Sequence, residues 1–551
     1  RKTFELPWDA KISNIDFSHS DIEKIDIENK KIQLTPRYKS INYEILSTKK
    51  NTMTINNIYP EKWYDIEKAS GLNQDGEHIK FITFSIYPTR YNSNEKTLEY
   101  ITKAEVIVKY ESPGEKFPDP DIYDLVIIAP SYFKDNLTKL VDHKEEYNVK
   151  TNLTTLEEIY RKYPGRDKPE QIKYFIKEAV EQWGISYVLL VGEIRKTPIR
   201  QTDSCFFEGH HGKVVLSDLY YSDIYDYYYN FSTWDTNNDD IFGQIEFGHG
   251  WINRSFTIVD EVDLYADLHI GRLACRDTKE VDIVVEKIIN YESKTYGEEW
   301  FNNIILAGGD TFPPGKGSAP FVYEGEINND KVAEEMEGFN HIRLWSSKRN
   351  LNAFTFNRAI NKGAGFLSYA GHGFEHGWGT YRPNYMRSKL GLTNPIYHTP
   401  LIQFLKNEDK LPVIFFDACL TSKLDFNLGD LADYYTILGR FVKLTGLEIN
   451  ENNHIPCFAW CFMIEEDGGA IGTIGATRTA YSHVDSTGVH TGAGYLDWMF
   501  FRGYHKGVRL GEMLTYAQNS YMNNRFKDYF TIEEYILLGD PSLMMGGYPQ
   551  S

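Results

Sequence analysis

The sequence predicts an α/β protein preceded by a β-rich N-terminal domain, and three observations carry that reading. Residues 1–118 alternate apolar and polar side chains between turns rich in Asn, Ser and Glu. From residue 119 onward, short wholly apolar runs alternate with stretches whose apolar residues fall three and four apart. At 551 residues the chain exceeds one ordinary domain.

Within 1–118, the segments 81–87 and 104–110 are half-buried strands by their period of two. The stretch 112–120, dense in Pro and charge, reads as an exposed linker and sets a boundary near 118. Leu125 to Ala129 and Tyr187 to Val191 are apolar throughout, as strands covered on both faces of a parallel sheet must be. Between them Ile172, Phe175, Ile176, Ala179, Val180 and Trp183 form one face of a helix. The same grammar returns near 300. Strands are expected at 304–307, 366–370, 413–416 and 470–474, with amphipathic stretches at 332–336 and 354–360. This divides the rest into α/β units 119–290 and 291–551, side by side or sharing one sheet.

Hydrophobic residues make up 41% and charged residues 25%, a globular balance, and 39 Tyr argue against disorder. A formal net charge of −19 excludes a general nucleic-acid binder, because phosphate repels an acidic surface. No run of 18 apolar residues exists, so no membrane span is expected. The sequence opens at Arg1 with no apolar leader, and a signal peptide is expected to lie outside it. Five cysteines are too few for a disulfide framework, and Cys457 and Cys461 read as packing residues.

In open α/β sheets reactive groups gather beyond the carboxyl ends of strands. Three strand ends here deliver such groups, in Gly371-His372-Gly373, Asp417-Ala418-Cys419 and Gly308-Gly309-Asp310. A thiol becomes a strong nucleophile when an imidazole takes its proton, and a carboxylate can orient that imidazole. Cys419, His372 and Asp310 fill those roles, with the N–H groups of Gly373 and Cys419 as oxyanion donors. Against this stands a small core cysteine beside an ordinary turn. Zinc hydrolysis through His372 and His376 is disfavoured, because His372 ends a strand and no Glu follows it.

A second pattern suggests a cation. Asp235, Asn237 and Asp239 place oxygen ligands at every second position, Ile241 offers a carbonyl, and Glu246 falls twelfth. That is the spacing of a calcium-wrapping loop, with Asp218 or Asp263 completing a non-helical version. Asp240 stands where Gly normally makes the sharp turn, and an acidic solvated turn is the alternative.

The context of these residues resembles the gingipain family of cysteine peptidases. Tyr369-Ala370-Gly371-His372-Gly373, Trp378-Gly379-Thr380 and Asp417-Ala418-Cys419 carry the likeness. So do Tyr187 to Glu193, Ile270-Gly271-Arg272 and Leu538-Gly539-Asp540-Pro541-Ser542-Leu543, in the family's order over about 120–545. The resemblance implies a caspase-like catalytic region of two α/β subdomains, with His372 and Cys419 as the dyad. It implies a basic residue before the scissile bond, held by Glu326 or, as a rival, Asp485, with Trp378 as a pocket wall. It also implies that residues 1–118 are a prosegment, so the chain is a zymogen acting on protein or peptide substrates. Processing is expected after Lys109 or Lys116, with Arg90 as an alternative inhibitory plug. The resulting expectation is an extracellular or cell-surface endopeptidase stabilised by calcium. Two other readings remain: a non-enzymatic surface or adhesin protein on this scaffold, or the same dyad with a preference for Asn or Asp.

Overall fold

A computed structural model describes residues 1–27, 39–40, 58–115, 117–118, 120–204, 214–247, 256–312, 322–381, 396–430, 454–525 and 528–549. Among them, no helix is long and apolar enough to cross a membrane.

The apolar runs form one ten-stranded sheet. In chain order its strands are β1 (Leu125–Ala129), β2 (Thr151–Thr155), β3 (Tyr187–Val191), β4 (His269–Leu273), β5 (Asn303–Gly308), β6 (Asn340–Trp345), β7 (Phe366–Ala370), β8 (Val413–Asp417), β9 (Gly472–Ala476) and β10 (Tyr535–Leu538). Their spatial order is β2-β1-β3-β4-β10-β9-β8-β7-β5-β6. The two α/β units therefore share one sheet, and the last strand in the chain joins them. β10 runs parallel to β4 and antiparallel to β9, so the halves run in opposite directions. Their carboxyl edges consequently lie at opposite ends of the sheet.

Helices Lys168–Trp183 and Thr278–Lys294 bury their apolar faces against it, each opened by an aspartate that accepts a first-turn N–H. The strand expected at 470–474 sits two residues later. Ala470 and Ile471 are buried, but their N–H groups go to Phe462 and Pro412 rather than to the ladder.

The seam explains two of the motifs. A Cβ on Gly271 would lie 2.4 Å from the Gly539 carbonyl, so only glycine lets β4 and the end of β10 close. Asp540 and Glu292 both pair with the wholly buried Lys144, at 2.6 and 2.9 Å. Burial pulls the Lys144 pKa down, but these two carboxylates more than offset it and hold the ammonium charged.

The N-terminal domain is β-rich as expected. Tyr64–Leu72, His78–Ile86 and Lys2–Pro7 form one antiparallel sheet, and Lys11–His19 pairs with Ala104–Glu111. It docks on the segment that leads into β4 and on helix Leu510–Asn524. Leu72 N–H donates to Ala266 O at 2.8 Å, Phe81 stacks on Tyr265, and Asn519 Nδ2 donates to Leu72 O. The linker is anchored rather than loose. Phe117 stacks on His78 and meets Trp8 edge-on, and Asp9 accepts from Ser112, Gly114 and Glu115.

Candidate active site

β7 and β8 are neighbouring parallel strands with Ala370 opposite Asp417. His372 and Cys419 each lie two residues past that pair, on chains separated by about one strand spacing of ~4.8 Å. Gly371 N–H donates to Asp417 O at 3.1 Å, extending the contact beyond the ladder. Gly373 then rests on the cysteine's own backbone. A Cβ there would lie 2.3 Å from Cys419 O and 3.1 Å from Cys419 N. The structure thus brings together the two strand tips that the sequence singled out.

The imidazole is anchored through Nε2. His372 Nε2 donates to Thr311 O at 2.9 Å, and the ring meets Tyr381 edge-on at 5.5 Å. In the neutral ring that contact places the proton on Nε2 and leaves Nδ1 as the basic nitrogen. The thiol is fully buried and donates to Ala480 O at 3.4 Å. Burial pushes its pKa well up, so it is an un-ionised thiol here. Leu420, in the left-handed region at φ 59°, turns the chain sharply after it and donates to Arg478 O.

Asp310 does not make the orienting contact at Nε2; the carbonyl of the next residue does. Burial first, and then Glu324's charge, push the Asp310 pKa up to about 8, so at neutral pH the group carries no charge to share. Its own carbonyl accepts from Tyr381 N–H at 3.0 Å and the Thr380 hydroxyl at 2.9 Å, fixing the turn that presents Thr311.

Beside the dyad lies a small cavity, open to solvent, lined by Thr311, Phe312, Glu324, Gly371, Ser482 and Val484 among others. The acid expected there, Glu326, is turned away. It is 6% exposed and accepts from Ser347 N–H and Oγ at 2.8 and 2.5 Å. Glu324 takes its place, accepting from Thr311 and Phe312 N–H at 3.1 and 3.3 Å. Both belong to helix Glu324–Glu335. Residues two apart on a helix point ~200° apart, so only one of the pair can reach the cavity. The motif was visible in sequence, but its helical phase was not.

Asp485 also misses the cavity. In the hairpin Tyr481–Asp485/Gly488–Gly492, Ser482 and Val484 face inward, while His483, Asp485 and His490 lie on the half-exposed outer face. Trp378 is wholly buried, stacked on Tyr369 at 4.3 Å and packed edge-on against Phe356. It pairs across the ladder with Gly373, whereas His372 pairs with Gly379. Alternation therefore sends the indole to the face opposite the imidazole, and it is not among the residues lining this cavity.

The processing residues also find other roles. Arg90 pairs with Glu99 at 3.0 Å, donates to Glu61 O and lies over the Trp63 ring, all inside the N-terminal domain, so it plugs nothing. Lys109 sits in a paired strand and binds Asp16 at 2.9 Å, which withholds its peptide from a protease cleft. Lys116 lies outside the described residues.

The calcium-loop donors face hydrogen-bond donors rather than a common centre. The Asp235 carboxylate accepts from Arg166 and from the N–H groups of Asp239 and Asp240. Asp239 accepts from Asn237 Nδ2 and Ile241 N–H. Asp218 pairs with the buried Arg272 at 2.6 Å, and Asp263 accepts from Ser70 N–H, part of the interdomain contact. The Glu246 side chain lies outside the described residues. A guanidinium already balances this loop, so the described donors do not fit calcium as arranged.

Comparison with known proteins matches the model of peptidase family C25 to residues 119–546. Gingipain R2 of Porphyromonas gingivalis is 21% identical over 362 residues, 64% of this chain and 36% of its own length. Gingipain R1 of the same species is 21% identical over 345 residues, 60% of this chain and 27% of its own length. The chain thus spans about a third or less of these curated relatives. A complex of Porphyromonas gingivalis RgpB pro- and mature domains superposes with a TM-score of 0.51 at 19% identity, covering 77% of this chain and 79% of that one. The Arg-specific cysteine proteinase gingipain R gives 0.50 at 17% identity, covering 79% and 80%. The fold is shared with these structures.

Proposed function

Because this chain belongs to peptidase family C25, we propose that it is a cysteine endopeptidase made as a zymogen, cleaving after Arg or Lys. One observation supports the reading: Gly373 lies against the backbone of Cys419, so the residues that carry the imidazole and the thiol stand at adjacent strand tips. In this reading Cys419 Sγ attacks the scissile carbonyl while His372 takes its proton and returns it to the leaving amine. The Gly373 and Cys419 N–H groups hold the oxyanion, and water then releases the acyl group. Glu324, beside the cavity, pairs with the basic side chain. A neutral side chain there would leave a buried carboxylate uncompensated, which is how such a pocket discriminates.

Latency has its own support. Lys39–Ser40 of the N-terminal domain pairs antiparallel with Tyr481–Ser482, adding a strand at the cavity's edge. The next residue upstream, Ala480, supplies the carbonyl that holds the thiol. Release of that strand frees Tyr481–Ser482 for substrate and lets the thiol turn to His372. Processing then falls between 112 and 120, with Lys116 as the basic residue cut. In this reading the protein acts outside the cell or on its surface.

A fluorogenic panel with Arg, Lys, Asn or Asp before the leaving group tests this on chain freed of residues 1–118. Arg and Lys substrates are hydrolysed, Cys419→Ala abolishes turnover, and Glu324→Gln lowers kcat/KM on basic substrates by ~100-fold or more. Hydrolysis of Asn or Asp substrates instead would overturn the specificity. No hydrolysis of any substrate would favour the non-enzymatic surface protein.

A further inference from the structure

The outer face of the hairpin beside the cavity carries a group the mechanism does not use. His483 Nε2 lies 3.6 Å from Asp485 Oδ2, and His490 Nε2 lies 3.0 Å from Asp485 Oδ1. Candidate ligand atoms of the three residues fall within 4.8 Å of one another, and no other such cluster occurs among the described residues. We propose that His483, Asp485 and His490 bind a zinc-like divalent transition-metal ion.

Metal–nitrogen bonds of ~2.0–2.1 Å in a tetrahedron set ligand atoms ~3.3 Å apart, and the two observed separations straddle that value. The imidazole rings, 4.8 Å apart and tilted by 43°, both turn Nε2 to the same carboxylate instead of stacking. Two nitrogen ligands and one oxygen suit zinc or its congeners and not calcium or magnesium, which take oxygen alone. The side chains are 29%, 42% and 38% exposed, so a water completes the shell. The Thr487 hydroxyl, 2.6 Å from Asp485 Oδ1, supplies the outer hydrogen bond that orients a ligating carboxylate. Binding replaces the direct hydrogen bond between His490 and Asp485 with a bond from each to the ion. Residues 482 and 484 of the same strand face the cavity, so the ion braces the hairpin from behind and takes no part in hydrolysis.

The test is titration of the full chain with Co²⁺ in the visible range and with Zn²⁺ by calorimetry. The expected result is one site per chain with four-coordinate cobalt bands and no thiolate charge-transfer band. His483→Ala and His490→Ala each weaken binding by more than the ~10–100-fold that losing an outer-shell partner costs. Both variants should melt with wild type in chelator, because the residues stand at the surface. Three results would overturn the proposal: no stoichiometric binding to wild type, affinity unchanged in either variant, or a thiolate band that puts the ion on a cysteine.

Discussion

At the scale of single residues, backbone atoms do work that a sequence cannot advertise. The placement of His372 and Cys419 at neighbouring strand ends was legible because each follows an apolar run and a glycine or small residue. The orienting contact was not, because it is the carbonyl of Thr311, and a carbonyl has no sequence signature. Asp310 looked like the orienting acid because it is ionisable and adjacent. Its burial makes it a titration switch instead. Its pKa of about 8 exceeds the ordinary 3.8, so between those values the folded chain keeps a proton that the unfolded chain has lost. Stability therefore falls as pH rises through that window and levels off above it. Asp310→Asn removes this contribution. Its melting temperature should exceed wild type by ~2–4 °C at pH 8, with the gap closing towards pH 4. Equal melting temperatures at both pH values would show that the carboxyl is not held protonated.

At the scale of elements, the strands covered on both faces were easy to read and the closing strand was not. β1, β3 and β7 begin and end where their apolar runs do. β10 is a four-residue run whose partners lie more than 260 residues upstream and about 60 residues away, at β4 and β9. No local period encodes such pairing. Long-range closure is nonetheless where the ordered motifs act, through Gly271 against Gly539 O and Asp540 against Lys144. Gly271→Ala should destabilise the fold by ~1–3 kcal/mol, read as a lower denaturation midpoint, because the new methyl meets a backbone carbonyl that cannot step aside. An unchanged midpoint would mean that the two half-sheets are less tightly joined than they look. The Glu324/Glu326 exchange belongs at this scale too. A two-residue motif was recognised, and the helix chose which member faces the cavity.

At the scale of the whole molecule, the N-terminal domain is an integral part of the packing. Its central sheet seats on residues 263–266, its linker aromatic is stacked, and its Lys39–Ser40 strand extends the hairpin that borders the cavity. The alternation of segments 81–87 and 104–110 made the domain's β character readable, but docking depends on surfaces that meet only in three dimensions. The same holds for the acidic loop at 235–241, where the spacing suited calcium and a distant arginine supplies the charge. The proposed activity requires that Cys419 and His372 form one reactive pair, restrained while residues 1–118 are attached. Its most direct test is intact-mass and peptide mapping after treatment with an arginyl or lysyl chloromethyl ketone, on the full chain and on chain freed of residues 1–118. One adduct on Cys419 is expected, formed faster after release and lost in His372→Ala. Adducts elsewhere, or labelling of Cys419 at an undiminished rate without the imidazole, would contradict it.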